Sequence, residues 1–500
     1  MSTTRRTIGT LLALCLLGTA SFAVAQTLTI TGRMVAGGVN DQQVQWIRDF
    51  IIPEFEARNP GVNVELIEFG GSDEALREQY ALDLSVGAGA DVMAFDGFWI
   101  PEFEARNPGV NVELIEFGGS DEALREQYAL DLSVGAGADV MAFDGFWIPE
   151  FVEGGMLRSL SEVGGAAVGE WEGWNHIPLG LQELTMFEGE RYGIALGTDY
   201  RMIHVRGDLL EAVGIDAATW QPTSWDELLD AARTLKAADP DSYPLQINAG
   251  TSMGEATTMQ GYFMLLLGTG HFLTDEEDRW IVRSQGILDT LELYQTIYLE
   301  EALGDPRIQL LADGRNRSFA NFRDGNTALL VEGDWFYRGP TAPGQEFEVA
   351  NRDEVMTWAK MPAQAPGQGL RGQDFVTISG GTGFVLNPNP TDGPLAWELL
   401  AFMNSQEALQ VAQEYQPRIR VRDDVPVPGV PFLTETASAL GPFTTARPNL
   451  AVYPEISFQA QLMTERVVSG EMTPMQAMDA YARAVRDIAG ADNVVDLLGD

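Results

Sequence analysis

The stretch from Asn321 to Gly339 reads NFRDGNTALLVEGDWFYRG and decides the fold. Its helix-like start ends at an Asp-Gly pair, Asp324-Gly325, and the apolar run Ala328–Val331 follows. That run is short and bounded by turn residues, which predicts a buried strand. The strand stops at residues 332–334, and three aromatic residues occupy positions 335–337. Aromatic side chains just beyond a strand end are placed to line a cleft, although they could also close a hydrophobic core.

Length and charge limit the classes of protein that this chain can be. Five hundred residues exceed one small domain and predict two or more lobes. The net charge of -42 argues against nucleic-acid binding, which needs a basic surface. It does not indicate a cationic ligand, because acidic surfaces usually serve solubility.

The first 25 residues have the pattern of a secretory signal peptide. Arg5-Arg6 precede an apolar run over residues 8–23, and Ala23-Val24-Ala25 is a small-residue cleavage site before Gln26. The single cysteine, Cys15, lies inside this segment, so the mature chain would have neither a thiol nor a disulfide. We therefore expect an exported protein of the periplasm.

A 48-residue segment, 53–100, recurs without a single change as 101–148. Repeat architectures use more copies and tolerate drift, so the pattern indicates a recent tandem duplication or an assembly error. Each copy predicts a strand, a helix and a second strand, and a sheet has one position for that unit. We expect the second copy to fill it, because this copy continues directly into the rest of the chain. A packing that mixes the two copies is the alternative.

Alternating strands and helices in the first half predict an α/β fold with a parallel or mixed sheet. The strand predicted over residues 139–143 is followed by Asp144-Gly-Phe-Trp147. Loops at the carboxyl ends of strands are where open α/β sheets place ligands. Asp144 could instead only cap the helix that follows. Further on, the pattern of residues 279–301 predicts a helix.

The order helix, Asp-Gly turn, buried strand and Gly-x-Trp resembles a signature of the family 1 extracellular solute-binding proteins. These maltose-binding-protein-like chains capture sugars for ABC importers. The resemblance implies that Trp335 stacks on a bound sugar. Residues 138–157 resemble another segment of this family, which implies that Asp144 binds sugar hydroxyls and that Trp147 is a stacking neighbour.

Three further stretches resemble places where this family lines its cleft. The first, Tyr192–Leu210, resembles a crossing between lobes and implies ligand contacts by Asp199 and Tyr200, although His204-Val205 departs from the aromatic pattern. The second stretch contains Tyr262, and its resemblance implies that this side chain faces the cleft. Packing of Tyr262 in the core is nearly as well supported.

The third stretch, Gly380–Gly383, resembles a second crossing. Gly381 is expected to let backbone approach the ligand closely. A phosphate cradle is a weaker interpretation, because no P-loop lysine accompanies the glycines. Tyr453 lies where an aromatic of a third crossing could meet the ligand.

The fold that the resemblance implies is the two-lobed, type II periplasmic-binding-protein (Venus-flytrap) fold, α/β in class and built from discontinuous lobes. One lobe would comprise residues 26–200 and 380–425, and the other 201–379 and 426–500, after a signal peptide over 1–25. The implied partners are a carbohydrate and the permease subunits of an importer, with the protein itself a monomer.

Enzyme activity is not expected from the residues that are available for catalysis. Three dispersed histidines form no HExxH motif, no cysteine nucleophile follows Cys15, and no metal-ligand spacing or cofactor motif is present. Seventy-three carboxylates leave a glycosidase acid pair open as an alternative. Binding of another solute, a polyamine or a metal ion, is a second alternative.

Overall fold

The computed structural model of this chain describes residues 26–32, 48, 52–53, 62–68, 92–93, 103–104, 106–110, 112, 114–115, 121–415, 417–427 and 429–499. The predicted signal peptide with Cys15 lies outside the described residues. So do Asp96 and Trp99, the first-copy counterparts of Asp144 and Trp147. The chain forms two compact units, residues 1–96 and residues 97–500.

The first unit contains a parallel sheet of three strands. These are β1 Gln26–Gly32, β2 Val62–Glu68 and β3 Val92–Met93, in the order β2-β1-β3. Strand β1 pairs with β2 along its whole length, from Gln26 opposite Val62 to Gly32 opposite Glu68. Both partners of β1 belong to the first copy of the repeat. The parallel pairing agrees with the parallel or mixed sheet predicted for the first half of the chain.

The second copy has a different structure although its sequence is identical. The structure describes four of its residues that correspond to β2, and none of them is in a strand. They are residues 110, 112, 114 and 115. It instead contributes a helix, Asp121–Ser133, and the strand Val140–Asp144. The prediction that the second copy replaces the first is therefore wrong for the sheet of β1, and the structure divides the two copies between two sheets.

Chain connectivity gives a physical reason for this division, since local sequence preference is the same in both copies. Reaching the second-copy counterpart of β2 from β1 would lengthen the connection by 48 residues. Loop-closure entropy makes that longer connection less favourable by about 1 kcal/mol. The second copy runs directly into residue 149, which favours its use in the sheet that follows.

The second unit holds the remaining strands. In chain order they are β4 Val140–Asp144, β5 Met186–Phe187, β6 Glu190–Arg191, β7 Gly193–Ala195, β8 Arg201–Arg206, β9 Leu245–Gln246, β10 Trp280–Arg283, β11 Leu329–Gly333, β12 Met356–Ala359, β13 Met361–Pro362, β14 Phe375–Ile378, β15 Thr382–Leu386, β16 Thr444–Thr445 and β17 Val494–Asp496.

Two sheets of this unit position the candidate site. The three-stranded sheet has the order β4-β15-β7 and is antiparallel, with Asp144 opposite Thr382 at one end. The four-stranded sheet has the order β12-β8-β11-β9, in which β11 is antiparallel to β8 and parallel to β9. Both sheets draw strands from distant parts of the chain.

Helices cover the sheets of the second unit. They are α1 Asp121–Ser133, α2 Ile148–Glu153, α3 Leu160–Gly164, α4 Ala167–Glu170, α5 Leu179–Gln182, α6 Gly207–Ala212, α7 Trp225–Ala238, α8 Glu255–Thr257, α9 Phe263–Gly268, α10 Gln285–Gln295, α11 Gly314–Asp324, α12 Trp335–Arg338, α13 Arg352–Val355, α14 Gly393–Met403, α15 Gln406–Tyr415, α16 Pro431–Leu440, α17 Tyr453–Val468 and α18 Pro474–Ala489. Thr258–Tyr262 and Thr296–Glu300 are π-helical turns. Across the described ranges, no helix is both long and apolar enough to cross a membrane.

The stretch that decides the fold has the predicted structure. Helix α11 ends at Gly325, which adopts a left-handed conformation with φ of 81°. All five residues of β11 are buried. Of the three aromatic residues in α12, Phe336 and Tyr337 are buried in the core, whereas Trp335 stays partly exposed. Only Trp335 is therefore free to meet a ligand.

The largest hydrophobic core joins the four-stranded sheet to helices α9, α10, α17 and α18. Strand β10 pairs with β17 at one edge of this region. The helix predicted over residues 279–301 is wrong at its start, because residues 280–283 form β10 and the helix begins only at Gln285.

Candidate functional site

A cavity of about 440 Å³ lies where β4, the 183–189 segment, the connection from β14 to β15 and the 446–449 segment meet. The connection from β14 to β15, residues 379–381, is called the glycine crossing below. It lines the cavity together with Gly145 and Phe146, which follow β4, and with Arg447. The cavity thus brings together residues that are far apart in the sequence.

The turn after β4 has a local cause. The Asp144 carboxylate accepts a hydrogen bond from the Phe146 amide at 3.4 Å and so begins the turn. The Gly145 amide donates to the Gly381 carbonyl at 3.1 Å. A Cβ on Gly145 would lie 2.0 Å from the Leu184 carbonyl oxygen, so only glycine fits there. Gly381 lines the cavity by close backbone approach, and its contact with a ligand stays a prediction.

Five side chains beside this turn form the Arg447 network, which consists of Arg447, Asp144, Glu255, Tyr453 and Ser457. The Arg447 guanidinium donates to Asp144 at 2.6 Å and to Glu255 at 3.1 Å. The hydroxyls of Tyr453 and Ser457 each donate to Glu255 at 2.6 Å. The network therefore connects the end of β4 with the starts of α8 and α17.

The Arg447 network contains one cation and two carboxylates. Burial raises the pKa of Asp144 and that of Glu255, although Arg447 opposes both changes. Burial lowers the pKa of Arg447, but the neighbouring carboxylates more than offset this and raise it overall. The guanidinium also lies 4.0 Å from the Phe146 ring centroid, in a cation–π contact.

A second group of charges lies at the other predicted crossing. The Asp199 cluster consists of Asp199, Arg201, Asp334, Arg338 and Arg418. Asp199 accepts hydrogen bonds from Arg201 and, at 3.0 Å, from the amide of Gly380. Asp334 accepts from Arg338 at 3.3 Å. The glycine crossing therefore contacts the Asp199 cluster through Gly380 and the turn after β4 through Gly381.

The two carboxylates of the Asp199 cluster have opposite pKa shifts. Burial opposes ionisation of Asp199, but Arg201 and Arg418 more than compensate and lower its pKa. Burial raises the pKa of Asp334 to about 6, against the effect of Arg338. The pKa of Arg418 is lowered by burial and by repulsion from Arg338. Positive charge is therefore concentrated at this cluster.

Trp335 lies beside the Asp199 cluster. The Arg201 guanidinium is 4.9 Å from its ring centroid. The indole folds back over Gly333, where a Cβ would lie 2.0 Å from the ring. Tyr200, the neighbour of Asp199, is half-buried against the core around Phe336. The structure therefore brings Trp335, Asp199 and Tyr200 to one region, as expected, and places Asp144 in the Arg447 network.

Three predicted ligand contacts are corrected, because their side chains lie in the core. Trp147 is 3% exposed and packs edge-on against Phe143. Tyr262 is fully buried in a π-helical turn, which is the core packing held as the alternative. Tyr453 is 1% exposed, and its hydroxyl holds Glu255. An aromatic residue type does not show which face of its helix meets the core.

His204 explains the departure from the aromatic pattern noted in the sequence. Its ring is buried, with Nε2 2.9 Å from the Gly333 carbonyl oxygen, and it packs on Phe336 and Phe432. Burial lowers the pKa of His204 to about 4. The imidazole is therefore neutral near pH 7 and belongs to the core.

One group of side chains has the spacing for a metal ion. His176 Nδ1 lies 3.1 Å from Asp423 and 3.5 Å from Asp424. The three ligand atoms lie within 4.8 Å of one another. Arg422 already donates to both oxygens of Asp424, at 2.8 and 2.7 Å, so a metal ion would compete with a guanidinium.

Sequence reasoning missed the arginines of the site and Glu255. Arg201 follows Asp199 by two residues on β8, and Arg338 follows Asp334 by four. Those spacings were available signals, because cations are scarce in a chain with 31 basic and 73 acidic residues. No local signal connects Arg447 with Asp144, which lies 303 residues away.

Comparisons with known proteins agree with this architecture. The model of a family described as bacterial extracellular solute-binding protein matches residues 99–410. A putative binding protein of Brucella abortus (strain 2308) is 23% identical over 219 residues, which cover 44% of this chain and 48% of the relative. A putative binding protein of Brucella suis biovar 1 matches to the same extent. The chain thus spans about half the length of the curated relatives that it matches.

Solved structures are similar over nearly the whole chain. A Thermotoga lettingae ABC transporter solute-binding protein bound with α-D-tagatose has a TM-score of 0.62 and 22% identity, covering 93% of this chain and 100% of its own. The maltose-bound T. maritima MalE3 has a TM-score of 0.59 and 16% identity at the same coverage. An Agrobacterium radiobacter K84 protein in complex with ribitol has a TM-score of 0.55 and 18% identity, covering 92% of this chain and 98% of its own. These likenesses confirm the predicted two-lobed, type II α/β fold.

Proposed function

The chain belongs to the bacterial extracellular solute-binding protein family, and we propose that it captures a mono- or oligosaccharide and delivers it to the permease of an ABC importer. The observation that carries the proposal is the partly exposed Trp335 beside Asp199 and Arg201. The similar structures that are bound with tagatose, maltose and ribitol give it further support.

The chemistry of a sugar fits this arrangement. A sugar ring has an apolar C–H face, which the Trp335 indole can cover. Its hydroxyls can donate to carboxylates such as Asp199, in charge-assisted hydrogen bonds. Tyr200 offers a phenol to the same ligand. The Gly381 backbone borders the cavity, and Asp144 is held beside it by Arg447, which also lines the cavity. In this proposal the protein performs no chemistry on its ligand.

Closure of two lobes is the proposed mechanism of capture. One lobe comprises residues 26–200 and 380–425, and the other residues 201–379 and 426–500. A ligand that contacts both lobes stabilises the closed state by its higher affinity for that state. The closed monomer then docks on the permease from the periplasm. The family description as extracellular supports an extracytoplasmic location.

Thermal unfolding against a panel of sugars tests the proposal. A solute that binds only the folded state raises the melting temperature in proportion to the logarithm of its concentration. We expect at least one mono- or disaccharide to do so with the chain from residue 26 onward. A melting temperature that responds to polyamines or metal ions, and to no sugar, would contradict the proposal.

A further inference from the structure

The charges of the Asp199 cluster do not balance. Three arginines face two aspartates, so the cluster has a formal charge of +1 when both carboxylates are ionised. This positive site is unusual in a chain whose net charge is -42. Arg201 is only 6% exposed, and Asp334 is fully buried. Water can therefore do little to stabilise the excess charge.

Hydrogen bonding within the cluster is also incomplete. Among the described residues, nothing accepts a hydrogen bond from Nε of Arg201 or from Nε of Arg418, although both atoms are buried. Buried polar groups in native proteins nearly always have partners, because an unpaired buried cation is costly. The two free N–H groups therefore indicate where an acceptor, preferably a negatively charged one, would bind.

Glycine backbone packs closely against these guanidinium groups. A Cβ on Gly197 would lie 2.9 Å from Arg418 Nε, and a Cβ on Gly380 would lie 3.4 Å from Arg201 Nη1. Glycine at both positions lets the backbone pass close to the two arginines. Arg418, Asp199 and Trp335 are each only partly buried, so the cluster still has an accessible side next to the indole.

We propose that the ligand is an anionic sugar, whose carboxylate or phosphate binds Arg201 and Arg418 while Trp335 covers the sugar ring. The inference rests on the proposed function and specifies the chemical class of its substrate. The anionic group supplies the missing charge and accepts from the free N–H groups. The pKa of Arg418, lowered by burial and by Arg338, fits a guanidinium that lacks enough negative charge nearby.

Matched ligand sets test the inference with the unaltered protein. Each set consists of a neutral sugar, its uronate and its 6-phosphate, for the gluco and galacto series, and binding is measured by isothermal titration calorimetry. We expect one anion to bind at least about tenfold more tightly than its neutral parent, since hydrogen bonds to charged groups are the stronger ones. Comparison of the affinities for the uronate and for the 6-phosphate identifies which anion is preferred.

The outcomes separate this inference from the proposed function. Neutral sugars that bind as tightly as their anions would overturn the anionic ligand and leave sugar capture intact. Absence of binding by every sugar would overturn both. The preference should also shrink as ionic strength rises from 20 to 500 mM salt, about a fivefold decrease in Debye length. A preference unaffected by salt would argue against a charged contact.

A substitution locates the anion site. Arg418→Gln should remove most of the preference for the anion over its neutral parent. Arg317→Gln, which alters an exposed arginine paired with Asp313, is the matched control and should keep the preference. Should Arg418→Gln fold poorly, Arg418→Lys retains the charge and should keep a reduced preference. An unchanged preference in both Arg418 variants would place the anion elsewhere and contradict the inference.

Discussion

The Arg447 network and the Asp199 cluster both lie beside the glycine crossing, yet they have opposite net charges and differ in hydrogen bonding. The network surrounds one cation with two carboxylates, and none of its buried side-chain atoms in the described chain lacks a partner. The cluster has more cations than carboxylates and leaves buried N–H groups unused. A fully bonded group of charges is suited to hold elements in place, whereas one with unpaired donors is suited to bind a ligand.

The largest effect should come from removing the only cation of the Arg447 network as defined above. Arg447→Met leaves Asp144 and Glu255 facing each other without their shared cation. We expect the free energy of unfolding to fall by roughly 3–5 kcal/mol, the usual result of removing one partner of a buried ion pair. Urea denaturation followed by circular dichroism measures it.

A second substitution controls for this result. Adding Asp144→Asn to Arg447→Met removes one of the two carboxylates left without a cation and should recover part of the lost stability. A loss of less than about 1 kcal/mol in the single variant would show that the network does not hold these elements together.

The next largest effect should be a loss of ligand affinity at the Asp199 cluster and its neighbour Trp335. Trp335→Ala should weaken sugar binding by roughly 1–3 kcal/mol and change the melting temperature little, because the indole is partly exposed and covers a sugar face. Titration calorimetry gives the affinity, and a melting curve gives the stability.

Trp147→Ala is the matched control, because this tryptophan lies in the core beside Phe143. It should lower the free energy of unfolding by roughly 3–5 kcal/mol and leave the affinity of the folded fraction unchanged. The reverse pattern, with Trp335 controlling stability and Trp147 controlling affinity, would contradict the assignment of the site.

Sequence patterns predicted best where the signals are local. Gly325, with its left-handed conformation, ends helix α11, and turn residues bound the buried run of β11. These local signals are sufficient to predict the helix, the turn and the strand. Residues 280–283 were predicted as helix because their strand depends on β17, more than 200 residues further along the chain. The identical repeats also show that local sequence alone does not determine structure. Strand β2 and its second-copy counterpart differ in structure although their sequences are the same.

The candidate site could be predicted only in part for the same reason. Trp335 was predicted from its position beyond a strand end and from the family resemblance, and Asp199 from the resemblance alone. The pairing of Arg447 with Asp144 joins residues 303 positions apart, and nothing local predicts it. Tyr262 and Tyr453 have the residue type of a ligand contact, but packing of their helices turns both into the core.

A smaller effect should appear in the pH dependence of the cluster. Asp334, whose pKa is raised to about 6, faces Arg338, Asp199 and Arg418, with Tyr200 nearby. Protonation on going from pH 7 to pH 5 removes one negative charge, so an anionic ligand should bind on the order of threefold more tightly. Calorimetry at the two pH values measures it, and Asp334→Asn should abolish the change. Tighter binding at pH 7 would contradict the charge imbalance.

Ionisation of Asp334 also affects the free energy of unfolding. The pKa of Asp334 in the folded state lies above the ordinary value of 3.8, so its ionised form costs stability above about pH 6. That cost decreases as the pH falls below about 6 and is gone once the pH is below 3.8. His204, with its pKa lowered to about 4, acts in the opposite direction, because protonation of the unfolded chain lowers stability as the pH falls from 6.5 to 4.

The smallest effect on binding should follow deletion of residues 53–100. Every member of the Arg447 network and of the Asp199 cluster lies between residues 144 and 457. Residues 101–148 repeat the deleted sequence, so the second copy can supply a strand identical to β2 for pairing with β1. We therefore expect ligand affinity to stay within about twofold of that of the full chain, a difference below RT. A tenfold loss of affinity in a deletion variant with unchanged circular dichroism would show that the first copy contributes to the site, and that the two groups of charges alone do not define it.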